Sequence, residues 1–130
     1  MTNDTAKEVF RDTVVPVILG NDLHAHLLSL RLNTRKGLSS VLCGSRRNLL
    51  DILDLSCGYL SLSGDRSRLS LEQLIDFSDS WNECILVLIP LTAADRSFIE
   101  ENREALECRY LICEDQETDT LPIDRPERWV

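Results

Sequence analysis

Glycine is scarce in this chain, with five residues in 130. A dinucleotide fingerprint needs three glycines, for a tight turn, for close approach to pyrophosphate and for helix–strand packing. Gly20 stands alone, followed by Asn21-Asp22-Leu23-His24-Ala25, in which only Ala25 suits the packing role. The glycine-bearing loop Ser63-Gly64-Asp65-Arg66-Ser67 lacks the Gly-Lys-Ser/Thr ending of a P-loop, so phosphate cradling there is rejected. No Gly-x-Ser-x-Gly elbow is present, and no cysteine sits in a context that marks an activated nucleophile. Positive charge is in deficit. The formal charge is −8 and the isoelectric point is near 4.7, which repels nucleic-acid backbones and anionic lipid surfaces and excludes both as expected partners. Long hydrophobic runs are missing too, the longest, Ile85 to Ile89 with its flanks, being strand-sized. The polar start from Met1 to Glu8 has no signal-peptide core.

Cysteine pairing motifs are likewise absent. The five cysteines, Cys43, Cys57, Cys84, Cys108 and Cys113, include no C-x-x-C pair, and Cys108 with Cys113 has no histidines nearby. An odd count without an export signal points to reduced thiols in a cytoplasm, and no metal site is expected. What is abundant is ordinary for a folded domain: 43% hydrophobic and 28% charged residues, enough to bury a core in one unit of this length.

The organising stretch runs from Val14 to His26. Val14-Val15-Pro16-Val17-Ile18-Leu19 is an unbroken apolar run rich in β-branched residues, as in a strand buried on both faces. Pro16 cannot donate to a ladder, so it belongs near the strand's start or at a bulge. Gly20 ends the run, and Asn21 or Asp22 can accept the free N–H groups of a helix from about Leu23 to Arg35. Leu23, Leu27, Leu30 and Leu28 are expected on its inner face. Arg31, Arg35 and Lys36 suit its negative end, and Gly37 its stop.

A second strand is expected over Leu38 to Cys43. Ser45 then caps a helix carrying Leu49, Leu50, Ile52 and Leu53, and an alternating third strand covers Tyr59 to Leu62. Ser70-Leu71-Glu72-Gln73 reads as a capping box for a third helix with Leu71, Leu74, Ile75 and Phe77 inward. Cys84 to Ile89, the most hydrophobic strand, belongs at the sheet's centre. Thr92 to Asp95 reads as another capping box, for a helix reaching Leu106, and Cys108 to Cys113 as a fifth strand. Alternating strands and helices predict an α/β, three-layer Rossmann-like domain with about five mostly parallel strands and helices on both faces. The domain is placed at residues 1–113, with 1–13 an N-terminal arm or short helix. Residues 114–130 carry six acids against two arginines and read as a flexible acidic tail.

In such a sheet, ligands sit at the carboxyl ends of the strands, so Gly20, Asn21 and Asp22 fall on the functional edge. His24 at the helix start is a candidate ligand or acid/base contact. His24 and His26 project about 200° apart on a helix and cannot chelate one metal. Ser45, Arg46 and Arg47 form a candidate phosphate contact, with a solvated cap and first helical turn as the plainer reading.

Two stretches together carry a family resemblance. Pro16-Val17-Ile18-Leu19-Gly20-Asn21-Asp22-Leu23-His24-Ala25 resembles the opening strand and turn of the pre-ATP-grasp domain of ATP-grasp ligases. Ile85 to Pro90, followed by Phe98-Ile99-Glu100-Glu101-Asn102-Arg103-Glu104-Ala105-Leu106, resembles its fourth strand and helix. The branch it is most similar to is the D-aspartate-ligase-like and short carbamoyl-phosphate-synthetase-like one, over about Val14 to Cys113. The resemblance implies a substrate edge framed by Gly20, Asn21 and Asp22 and by Leu91 and Thr92. It departs at Pro90-Leu91-Thr92, where relatives of this branch carry a glycine-containing turn. A lysine- and acid-bearing region to hold ATP and magnesium does not occur among these residues. The implied role is therefore non-catalytic: no catalytic residue and no cofactor in this chain, with ATP and magnesium held by a partner ATP-grasp module in cis or in trans. A homodimer is a further expectation, because such a domain apart from its neighbour exposes a patch. The alternative is a small Rossmann-type ligand- or nucleotide-sensing module built on Gly20 to Asp22 and Ser45 to Arg47.

Overall fold

The computed structural model describes residues 14–53, 57–63 and 68–113. The expected N-terminal arm, most of the Ser63–Ser67 loop and the acidic tail lie outside the described residues. Among the described residues, five strands form one sheet: β1 (Val14–Leu19), β2 (Val41–Gly44), β3 (Gly58–Ser61), β4 (Ile85–Pro90) and β5 (Leu111–Ile112). Their order is β3-β2-β1-β4-β5, and every pairing is parallel. The longest ladder joins β1 to β4 over six pairs, from Val14↔Ile85 to Leu19↔Pro90. Pro16 pairs with Val87 on that side, and the recorded register with β2 begins at Val17. All six β1 residues are buried, as the continuous apolar run requires.

Helices α1 (Leu23–Lys36), α2 (Leu49–Leu53), α3 (Arg68–Ser80), α4 (Ala93–Glu101) and α5 (Arg103–Glu107) occupy the crossovers. The buried residues divide into two cores. One joins α1, through Ala25, Leu28 and Leu32, to Val14, Ile18, Leu42, Val87 and Ile89. The other joins Leu74 of α3, Phe98 and Ile99 of α4 and Leu106 of α5 to Val15, Val17, Leu19, Leu86 and Leu88. Alternate residues of the same strands feed the two cores, which makes this a three-layer, Rossmann-like α/β fold.

Several local expectations hold. Asp22 caps α1, Gly37 ends it at φ 70°, and Thr92 with Asp95 closes a reciprocal capping box on α4. Others shift. β2 starts at Val41 rather than Leu38, although Leu38 is still core. β5 shrinks to Leu111–Ile112. The run from Ala93 to Glu107 breaks at Asn102, where φ −120° departs from helix and Nδ2 donates back to the Phe98 carbonyl. Ser70 does not open α3. It lies within the helix and its Oγ donates to the Ser63 carbonyl, while Gln73 Oε1 accepts from the Ser63 N–H, so the pair anchors a loop instead of capping.

The largest correction concerns α1. Leu23, Leu27 and Leu30 point outward, 60%, 51% and 51% exposed, and the sheet-facing side is Ala25, Leu28, Ser29 and Leu32, with His26 buried at its flank. Small Ala25 and Ser29, both fully buried, let the helix lie close to the strands. Leu28→Ala should therefore cost about 2–5 kcal/mol in urea denaturation. Leu27→Ala, measured in dilute solution, should stay within about 0.5 kcal/mol of wild type.

Candidate functional site

The carboxyl ends of β1 and β4 lie side by side, and their crossovers depart over opposite faces of the sheet. That divergence is the topological switch point at which open α/β sheets bind ligands. A cleft of about 280 Å³ opens there, lined by Gly20, Asn21 and Asp22 from the first turn and by Leu91, Thr92 and Asp95 from the second. A Cβ on Gly20 would come within 3.1 Å of Leu91 Cδ1, so the bare backbone lets the two turns approach.

The helix ends at this cleft are already occupied by their own side chains. Asp22 Oδ1 accepts the Ala25 N–H at 3.0 Å. Thr92 Oγ1 accepts the Asp95 N–H at 3.1 Å, and Asp95 Oδ2 accepts the Thr92 N–H at 3.3 Å. Two carboxylates thus sit where the positive ends of α1 and α4 would attract a phosphate. Among the described residues, those that line the cleft include no lysine or arginine.

Beside the cleft, between the ends of β1 and β2, lies a polar knot. Asp51 is its centre, with a side chain 2% exposed. One carboxylate oxygen accepts Asn21 Nδ2 at 2.7 Å and the Asn48 N–H at 2.9 Å. The other lies 2.7 Å from His26 Nε2, which donates because a carboxylate only accepts. Asn21 Nδ2 also donates to the Arg46 carbonyl, and Asn48 Nδ2 to the Asn21 carbonyl. Asn48 Oδ1 accepts the Asp51 N–H, so Asn48 opens α2 where Ser45 was expected to do so. Burial works to raise the Asp51 pKa, but hydrogen bonds from the Asn48 backbone, Asn21 and His26, with the His26 charge, outweigh it and hold the carboxyl below the usual 3.8. Nearby, Tyr59 donates to the Gly44 carbonyl and lies under the Arg47 guanidinium at 5.1 Å. Burial and the Asp51 charge push the Tyr59 phenol up, against the pull of Arg47.

Of the residues read from sequence, Gly20, Asn21, Asp22, Leu91 and Thr92 come together at the cleft. His24 is exposed on α1 and is not among the lining residues. Ser45, Arg46 and Arg47 are exposed on the loop after β2 and are not among the cleft-lining residues, although the Arg46 carbonyl accepts from Asn21 Nδ2. His26, Asn48, Asp51 and Asp95 were not singled out as site residues. One signal was available for Asp51, the lone charge within the apolar run Leu49 to Leu53. No protein-family model matches the chain, and no curated protein or solved structure matches it either.

Gly44 makes the knot possible, since a Cβ there would meet the Asn21 side chain at 2.6–2.7 Å. Gly44→Ala should destabilise by about 1–3 kcal/mol. Asp51→Asn should cost about 2–3 kcal/mol at neutral pH, because a neutral amide cannot accept all these bonds. A carboxyl with a lowered folded-state pKa contributes stability above its unfolded value of 3.8 and loses it as pH falls through the folded value. The gap between wild type and Asp51→Asn should therefore be widest above about pH 5 and narrow on acidification below 3.8, as read by urea denaturation at each pH.

Proposed function

We propose that this domain is a non-catalytic pre-ATP-grasp-like layer. In this reading it supplies one edge of the acceptor-substrate site to an ATP-grasp carboxylate–amine ligase module, in cis or in trans. The observation that carries the reading is the cleft itself. The two stretches that resemble the family are about 70 residues apart in sequence, and their strands pair directly, so the turns after them frame one opening. The electrostatics favour the same division of labour. With Asp22 and Asp95 filling the helix ends, the cleft repels phosphate and suits a ligand that presents an amino group or neutral polar atoms. ATP is then the business of the other module, and the acceptor meets this one.

The rival reading, a nucleotide-sensing module, would need phosphate at the α1 terminus or near Arg46 and Arg47. The Asp22 cap opposes the first of these, and Arg46 and Arg47 are not among the residues that line the cleft. Isothermal titration of the chain with ATP and magnesium should give no binding heat. A thermal-shift screen should show a rise in melting temperature with millimolar amino acids that Asp22→Ala removes, and none with adenine or nicotinamide nucleotides. A saturable isotherm for ATP, or a nucleotide-specific shift, overturns the proposal in favour of the sensor.

A further inference from the structure

Helix α1 is apolar on two sides, and the domain uses only one. Leu23, Leu27 and Leu30 recur at spacings of four and three along its outer crest. Helix α2 is pinned beside the crest through Asp51, whose partner His26 lies on the flank shared with Leu23 and Leu30. Its Leu49, Ile52 and Leu53 are 68%, 62% and 67% exposed. These six apolar residues are each more than half exposed, beyond the single scattered leucines normal on a monomer's surface and of the order of area that a standard interface takes from one partner, ~800 Å².

We propose that this face is a two-fold interface between copies of this chain, with α1 packed antiparallel on the partner's α1. The stripe is nearly symmetric about Leu27, so an antiparallel pairing seats Leu23 on the partner's Leu30 and brings the two copies of Leu27 together at the axis. The α2 leucines flank that seam. The charges match in this orientation and in no parallel one. Exposed Arg31 and Arg35, toward the carboxyl end of α1, come beside the partner's Asp22 at the amino end, and the helix dipoles run opposed. A parallel pairing would set arginine against arginine. The proposal does not rest on the ligase reading or on any ligand, although Asp22 also lines the cleft.

Sedimentation equilibrium of the chain at roughly 100 μM, ample for a micromolar Kd, should give twice the 14.8 kDa of one chain. Leu27→Glu, a change at an exposed position, should keep the wild-type circular-dichroism spectrum and weaken association ~100-fold or more, because both copies carry the change at the axis. As a second measurement, Leu27→Cys should cross-link to a covalent dimer under mild copper–phenanthroline oxidation well ahead of wild type, and Ser97→Cys on α4 should not. A wild-type monomer at that concentration overturns the proposal, whether a segment of the chain or a different protein covers the leucines. So does a dimer that Leu27→Glu leaves intact, or equal cross-linking at positions 27 and 97.

Discussion

The parallel ladder between β1 and β4 is the constraint on which the rest of the molecule depends. It joins residues about 70 positions apart, so it carries the loop-closure cost of the whole intervening segment, α1, β2, α2, β3 and α3. Once formed, it fixes more than a register. Six pairs, ending at Leu19↔Pro90, force the two chains to turn at the same height, and both must turn into helices. One helix goes to each face, because the strands on either side of the pair are reached by connections running in opposite directions. The cleft is therefore a consequence of topology rather than of any one residue. Gly20 only sets how closely its walls approach.

Within that frame the choice of caps decides what the cleft can hold. A helix end that opens with glycine leaves its N–H groups for a ligand oxygen. Here Asp22 and the Thr92–Asp95 box take those groups instead, and each brings a negative charge. Stability and specificity coincide in this respect. The caps that start α1 and α4 also turn the cleft away from phosphate.

The sequence was most readable where the physics is local. A doubly buried strand, an aspartate cap, a left-handed glycine stop and a capping box each depend on residues within a few positions, and Val14–Leu19, Asp22, Gly37 and Thr92–Asp95 occupy those roles in the structure. The Ser70–Gln73 motif has the right spacing too, but Ser63 competes for both side chains from outside the helix. The inner face of α1 was misread because hydrophobic periodicity reports that a face is apolar and not what covers it. Leu23, Leu27 and Leu30 outnumber Leu28 and Leu32, yet close approach to the sheet selects the face that also carries the small residues Ala25 and Ser29. The polar knot joins positions 25 to 30 residues apart, through contacts that no spacing rule describes.

That knot also explains how a helix with leucines on its crest keeps one orientation. Rolling α1 about its axis by half a turn, about 180°, would turn the Leu27 stripe toward the sheet and lift Ala25 away from it. Apolar burial alone gives little reason to prefer the observed roll, since it buries two leucines, Leu28 and Leu32, where the other face offers three. Two things oppose the alternative. The space between α1 and the strands is sized for Ala25 and Ser29, so leucines there would force the layers apart. The roll would also pull His26 off Asp51, stranding a buried carboxylate whose other oxygen is held by Asn21 and Asn48. Asn21 belongs to the cleft and Asp51 to α2, so the same bonds that set the roll of α1 tie the cleft wall to the helix flanking the leucine crest. A change at Gly44, where there is no room for a methyl group beside Asn21, therefore acts on both at once.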